Sequence, residues 1–261
     1  MNILVVGDIV GKPGRRAVEE LYPKLKKAHA IDLFIANCEN AAHGSGITSK
    51  IADEIFAMGV DVITMGDHMW DQKDIYDYVQ KSDRILRPAN YPKGVPGKGS
   101  VIAEAANGSK VAVINLVGRI FMNPAESPFT ALNDLLDSLK RDTPVIIVDM
   151  HAEATSEKIA LGWYADGRAS AVLGTHTHVQ TSDERVLPNG TAYISDLGMT
   201  GPHRSVLGRE IEPVLKRFTT LMPSKLGVAT EDVKLSGVVI DIDEMSGRAK
   251  GIKRICVDLP E

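Results

Sequence analysis

The chain lacks the features that mark several large functional classes. Its two cysteines in 261 residues, Cys38 and Cys256, form neither a disulfide framework nor a zinc-ligand motif. No run approaches the roughly 20 apolar residues of a membrane span. The first eight residues have no basic start and no long apolar core, so they read as a strand and not as a signal peptide. The expected setting is therefore the reducing cytoplasm, with both thiols free. A formal charge of -4 leaves no basic excess to hold an extended nucleic-acid surface or an anionic membrane. No repeat, low-complexity tract or linker interrupts the chain, and residues 1–261 are expected to form a single domain. The glycines between Gly7 and Gly14 do not follow the G-x-G-x-x-G spacing, which disfavours a doubly wound nucleotide-binding loop.

What is present is a hydrophobic fraction of 44%, enough for a substantial core, arriving in a steady rhythm. Residues 3–6 are apolar without alternation, as in a strand covered on both faces. A tight loop at Gly11, Pro13 and Gly14 leads to a helix over 15–28, whose Ala17, Val18, Leu21 and Leu25 share one face. Strand signals recur over 32–37 and 60–65. A helix over 49–58 separates them and stops at Gly59, and another helix is expected from Trp70 and Asp71 to residue 80. Three successive strand–helix units predict a largely parallel sheet carrying helices. The middle is richer in strand: 100–104 and 110–116 around the turn Ala106-Asn107-Gly108, then 145–148, 169–173 and 191–195. Helices fit 129–140, 155–162 and 212–221. A closing hairpin is read over 234–243 and 248–257, and the late strands together suggest a second sheet packed on the first.

The strands end in similar chemistry. Asp8, Glu39 with Asn40, Asp67 with His68, His151, and the pair His176 and His178 each follow or finish an apolar run. Taken singly, each has a plainer reading as a turn aspartate, a helix cap, a solvated carboxylate or a satisfied core histidine. In open α/β sheets, however, ligands gather beyond the carboxyl ends of the strands, where these residues would converge. His176 and His178, at i and i+2 of an extended segment, would point the same way. Carboxylate, amide and imidazole donors together suit iron, manganese, zinc or magnesium. With His68 set aside, the seven donors Asp8, Glu39, Asn40, Asp67, His151, His176 and His178 exceed the three or four of a lone zinc. They invite two ions about 3.5–4 Å apart sharing one carboxylate, an arrangement that clamps a phosphoryl group. His29, His43 and His203 stay outside the set, and Arg119 and Arg204 read as solvated loop residues.

The segments Gly7-Asp8, Asn37-Cys38-Glu39-Asn40-Ala41-Ala42, Gly66-Asp67-His68-Met69-Trp70-Asp71, His151-Ala152-Glu153 and Gly174-Thr175-His176-Thr177-His178 resemble the YmdB-like branch of the calcineurin-like metallophosphoesterases. The resemblance extends to Gly118-Arg119-Ile120-Phe121-Met122 and to Asp196-Leu197-Gly198-Met199-Thr200-Gly201, and so covers essentially the whole chain. It implies a four-layer α/β/β/α sandwich of two mixed sheets flanked by helices, with a dinuclear site at one edge. It implies that Asp8, Glu39, Asn40 and His178 hold one ion, that Glu39, residue 67, His151 and His176 hold the other, and that His68 faces the phosphate. The implied activity is phosphodiester hydrolysis by a metal-bridging hydroxide, on small substrates such as 2′,3′-cyclic nucleotides, in a homo-oligomer. Two positions depart from pattern. Val10 stands where the wider superfamily places a histidine, a vacancy that Asn40 fills within the branch. Asp67 stands where the branch normally has asparagine. The competing expectation is a non-catalytic regulator that senses a nucleotide or RNA end in the same cleft.

Overall fold

The structure, a computed structural model, describes residues 1–260. The first part of the chain runs β1 (Asn2–Val6), α1 (Gly11–His29), β2 (Ile31–Asn37), α2 (Ser49–Ala57), β3 (Val62–Thr64), α3 (Ile75–Tyr78) and β4 (Ile85–Leu86). The middle runs β5 (Ser100–Glu104), β6 (Lys110–Val117), α4 (Pro128–Leu139), β7 (Ile146–His151), α5 (Thr155–Ala165), β8 (Ala171–Thr175), β9 (Arg185–Val186) and β10 (Ala192–Ile194). The chain closes with β11 (Gly201–Pro202), α6 (Ile211–Thr220), β12 (Val233–Ile242) and β13 (Ala249–Asp258).

Two mixed sheets result. One has the order β11-β12-β1-β2-β3-β4, with β13 also paired to β12; the other has the order β5-β6-β7-β8-β10-β9. The unbroken apolar runs of the central strands are explained by burial on both faces. On β1 and β2, Leu4, Val6, Phe34 and Ala36 pack outward on Val18, Leu21 and Ala52 of α1 and α2. Their neighbours Ile3, Val5, Leu33 and Ile35 point inward against Val113, Ile147 and Leu173 of the other sheet. On that sheet Ala112, Ile114, Ile146 and Val148 turn outward to Leu132 and Leu136 of α4 and Leu161 of α5. Successive side chains thus serve alternate layers, and the architecture is the expected four-layer α/β/β/α sandwich. Each Leu, Ile or Phe so enclosed contributes about 1.5–3 kcal/mol.

Several elements differ from expectation. Of the late strands, β10 lies in the second sheet, but the closing hairpin joins the first: β12 pairs antiparallel along the whole of β1, from Asn2↔Asp241 to Val6↔Gly237. The second sheet is the work of the middle strands, and hairpin signals are local, silent about which edge a hairpin joins. Gly11, Pro13 and Gly14 are not a loop but the first turn of α1, where a proline loses no helical hydrogen bond. The helix expected from Trp70 shrinks to Ile75–Tyr78. Residues 66–74 instead make tight turns, Met69 N–H to Gly66 O and Asp71 N–H to His68 O at 3.2 Å each. Their side chains reach across to another loop, Gln72 Nε2 donating to Ser45 O at 3.0 Å. The short strands β4, β9 and β11 have two residues each, too few to show a period. Both cysteines are free, Cys38 buried and Cys256 exposed.

Candidate metal centre

Strands β1, β2 and β3 run parallel, as do β6, β7 and β8, so each set presents its carboxyl ends at one edge. The two edges meet. His151, the last residue of β7, lies with Nε2 3.2 Å from Glu39 Oε2, which comes from beyond β2 of the other sheet. The same nitrogen is 3.2 Å from Asp67 Oδ1, beyond β3, and 3.0 Å from His176 Nδ1, beyond β8. Glu39, Asp67, His151 and His176 each offer a ligand atom within 4.8 Å of the others. Such a cluster of carboxylates and imidazoles can bind a metal ion.

The remaining expected donors, Asp8, Asn40 and His178, lie beside this group. Asp8 is fully buried; its Oδ2 accepts the His176 backbone N–H at 3.2 Å, and its Oδ1 is 3.9 Å from His151 Nδ1. Asn40 Oδ1 faces His178 Nε2 at 3.2 Å. His176 and His178 do not share a direction as an extended segment would impose. β8 ends at Thr175, and the two histidines take left-handed backbone with φ of 98° and 65°. The turn sends His176 toward His151 and His178 toward Asn40. The His68 ring lies at the rim of the cluster, partly exposed, with Nδ1 2.8 Å from Asp71 Oδ2 and 3.3 Å from Ser45 Oγ. Ser45 Oγ in turn donates to the Asp71 carboxylate. Arg204 pairs with Glu231 in solvent, away from these residues.

Electrostatics mark the cluster as short of positive charge. Burial pushes Asp8 up to about 6, with His178 and His151 pulling the other way. Burial alone would neutralise His151, yet Glu39 and Asp67 hold a proton on it well above the usual range. Glu39 and Asp67 are correspondingly lowered, burial opposing and His151 prevailing. His176 is lowered by its own burial and by the charge on His151. A proton on His151 thus occupies the place a cation would take, and cation binding would release it. Two further observations fit a cation. Asp8 Oδ1 is buried with no hydrogen-bond partner, an arrangement that costs free energy unless something positive meets it. At Gly66 a Cβ would lie 2.3 Å from Glu39 Oε2 and 2.3 Å from His151 Nε2, so the space between these groups stays open only because residue 66 has no side chain.

Sequence reasoning missed the residues that aim these groups. Asp149, buried on β7, accepts from Asn37 Nδ2 at 3.1 Å and from Thr175 Oγ1 at 2.7 Å, and Thr64 Oγ1 donates to it as well. Since the Thr175 hydroxyl gives its hydrogen to Asp149, it accepts from His151 Nδ1 at 2.9 Å. That leaves Nε2 as the nitrogen turned toward Glu39 and Asp67. A buried polar residue inside an apolar strand was the available signal. Thr175→Val keeps the shape and removes the relay. Its affinity for Mn2+, read by titration calorimetry, is expected to fall about 10–100-fold; unchanged affinity would mean that packing alone orients the ring.

Similarity to known proteins runs the length of the chain. The family model described as YmdB-like protein matches residues 4–255. A Bacillus subtilis (strain 168) protein described as a 2′,3′-cyclic-nucleotide 2′-phosphodiesterase is 52% identical over 258 residues, covering 99% of this chain and 97% of that one. A crystal structure of a hypothetical protein from Thermus thermophilus superposes with a TM-score of 0.93 at 41% identity, covering 100% of both chains. One from Mycoplasma pneumoniae, described as a novel phosphatase, superposes with a TM-score of 0.92 at 34% identity, covering 99% of this chain and 93% of that one. The matched span takes in both sheets and every strand end that delivers a side chain to the cluster, and on that basis the chain belongs to the YmdB-like protein family.

Proposed function

We propose that this chain is a metal-dependent phosphodiesterase that hydrolyses 2′,3′-cyclic nucleotides at the 2′ ester bond, releasing nucleoside 3′-phosphates. The observation that carries the reading is the meeting of carboxylates and imidazoles from both sheets around one open space. It occurs in a chain 52% identical, nearly end to end, to a relative described by that activity. In this reading Glu39, Asp67, His151 and His176 hold one ion. Asp8, Glu39, Asn40 and His178 would hold a second. When bound, such ions supply Lewis acidity for the phosphoryl oxygens and a water-derived nucleophile at neutral pH. The protein's own residues do the rest. Asp149 and Thr175 fix the His151 ring. Asp71 and Ser45 hold His68 at the rim of the cluster, from where its free Nε2 can give a proton to the departing 2′ oxygen.

The test uses protein purified without chelators. Elemental analysis is expected to find transition metal in the preparation. Chelation should stop hydrolysis of 2′,3′-cyclic AMP and Mn2+ should restore it. Fully loaded protein that binds the nucleotide and never turns it over would be a sensor, and the enzyme reading would fall.

Asp67 sets the charge of the centre. Asp8, Glu39 and Asp67 offset three of the four positive charges of two divalent ions, whereas asparagine at 67 would leave only two offset. Asp67→Asn is therefore expected to retain metal about tenfold less tightly and to turn over an anionic diester faster. Calorimetry with Mn2+ and steady-state kinetics check both. If neither parameter moves, charge at position 67 does not tune the centre.

A further inference from the structure

Lys158 is a buried charge that the proposed chemistry does not use. It sits on α5, on the face of the second sheet turned away from the first, with 1% of its surface exposed. Its Nζ donates to the backbone carbonyl of Thr175 at 2.9 Å and to Asp196 Oδ2 at 2.7 Å. Asp196, equally buried, accepts at the same oxygen from the Thr177 N–H at 3.0 Å and from the Thr177 hydroxyl at 2.7 Å. Its other oxygen accepts the Gly198 N–H at 2.8 Å. The pair therefore grips the backbone immediately before and immediately after His176.

That grip falls where the backbone needs it. His176 has φ of 98°, outside the conformations a side chain with a Cβ ordinarily takes. Such a residue persists only where its surroundings over-determine it. Three bonds do so here: Lys158 to the carbonyl on one side, Asp196 to the N–H on the other, and Asp8 Oδ2 to the His176 N–H itself at 3.2 Å. The lysine stem reaches its place because Gly174 has no side chain, since a Cβ there would lie 2.7 Å from Lys158 Cδ and 1.7 Å from Ser195 O. The cost of burying a charged pair is thus met at one point, the turn that parts His176 from His178.

We infer that Lys158 and Asp196 are positioning residues for the metal centre: the pair holds the left-handed turn that aims His176 at His151 and His178 at Asn40. The inference rests on the reading of those histidines as metal ligands.

Lys158→Met and Asp196→Leu are each expected to weaken Mn2+ binding by about 10–100-fold and to lower the melting temperature, since each leaves a buried partner unpaired. The double variant Lys158→Met/Asp196→Leu removes the unpaired charge without restoring the grip. Its melting temperature should return toward that of the parent while its Mn2+ affinity stays low. Leu136→Ala, on α4 and outside the centre, is the control that loses stability alone. Calorimetry with Mn2+ and thermal melts read all four. If affinity returns with stability in the double variant, or if the single variants bind Mn2+ like the parent, the pair is structural only and the inference fails. A parent protein that binds no Mn2+ would instead overturn the metal-centre reading itself.

Discussion

Gly66→Ala is expected to abolish metal uptake, and with it metal-dependent turnover, while both sheets stay folded. The new methyl carbon would sit 2.3 Å from Glu39 Oε2 and 2.3 Å from both Nε2 and Cδ2 of His151. These are far inside van der Waals contact, so something must move. Neither neighbour has room, because Glu39 and His151 are buried and the His151 ring is held at Nδ1 by Thr175. The backbone is also tied, with Gly66 O accepting from Tyr91 Oη and from the Met69 N–H at 3.2 Å each. Relieving the clash therefore splays the two ligands. Overpacking of this kind costs about 1–3 kcal/mol, which a stability of about 5–15 kcal/mol can absorb. Donors displaced by about 1 Å, however, no longer share a cation. Elemental analysis beside a far-ultraviolet circular dichroism spectrum checks the claim. Full metal content in a folded Gly66→Ala protein would show that the space between Glu39 and His151 is not where the ion sits.

The parts of the fold legible in the sequence were those whose signal is local. β1, β2, β7 and β8 announce themselves because burial on both faces keeps their runs largely apolar until the end. The helix over α1 is readable from Ala17, Val18, Leu21 and Leu25, all of which are buried. The polar strand ends were readable for the complementary reason: Asp8, Glu39 and Asp67 follow apolar runs at positions where packing has no use for a carboxylate. What stayed hidden depends on contacts far away in the chain. The hairpin of β12 and β13 carries nothing that says β12 will pair with β1, which sets Val238 beside Val5 from the opposite end of the sequence. The helix expected from Trp70 starts later because Asp71 and Gln72, with the neighbouring His68, find partners at Ser45 that outweigh a helical turn. The left-handed turn at His176 is invisible because its support, Lys158 and Asp196, looks in sequence like an ordinary helix lysine and a loop aspartate.

His68→Ala should leave the metal in place and remove most of the turnover of an unactivated diester, by about 10²–10⁴-fold in kcat. The ring is not one of the four clustered donors, and only its backbone N–H touches the cluster, at 3.2 Å from Glu39 Oε2. Burial would lower its pKa, but Glu39, Asp67 and Asp71 together raise it. With cations neutralising Glu39 and Asp67, the contact to Asp71 at 2.8 Å remains. It fixes the proton on Nδ1 and favours the charged ring that can donate from Nε2. A group acting as acid works below its pKa, so turnover should fall as pH rises through the pKa that the Asp71 contact supports. Asp71→Asn, which withdraws the support, should shift this alkaline limb to lower pH. The nature of the leaving group provides the sharpest check. A 2′ alkoxide needs a proton as it departs, whereas p-nitrophenolate does not. His68→Ala should therefore be severely impaired on 2′,3′-cyclic AMP and far less on bis-p-nitrophenyl phosphate, at parental metal content. Equal losses on the two substrates would mean that His68 binds the phosphate and does not donate a proton, and parental rates on both would remove it from the reaction.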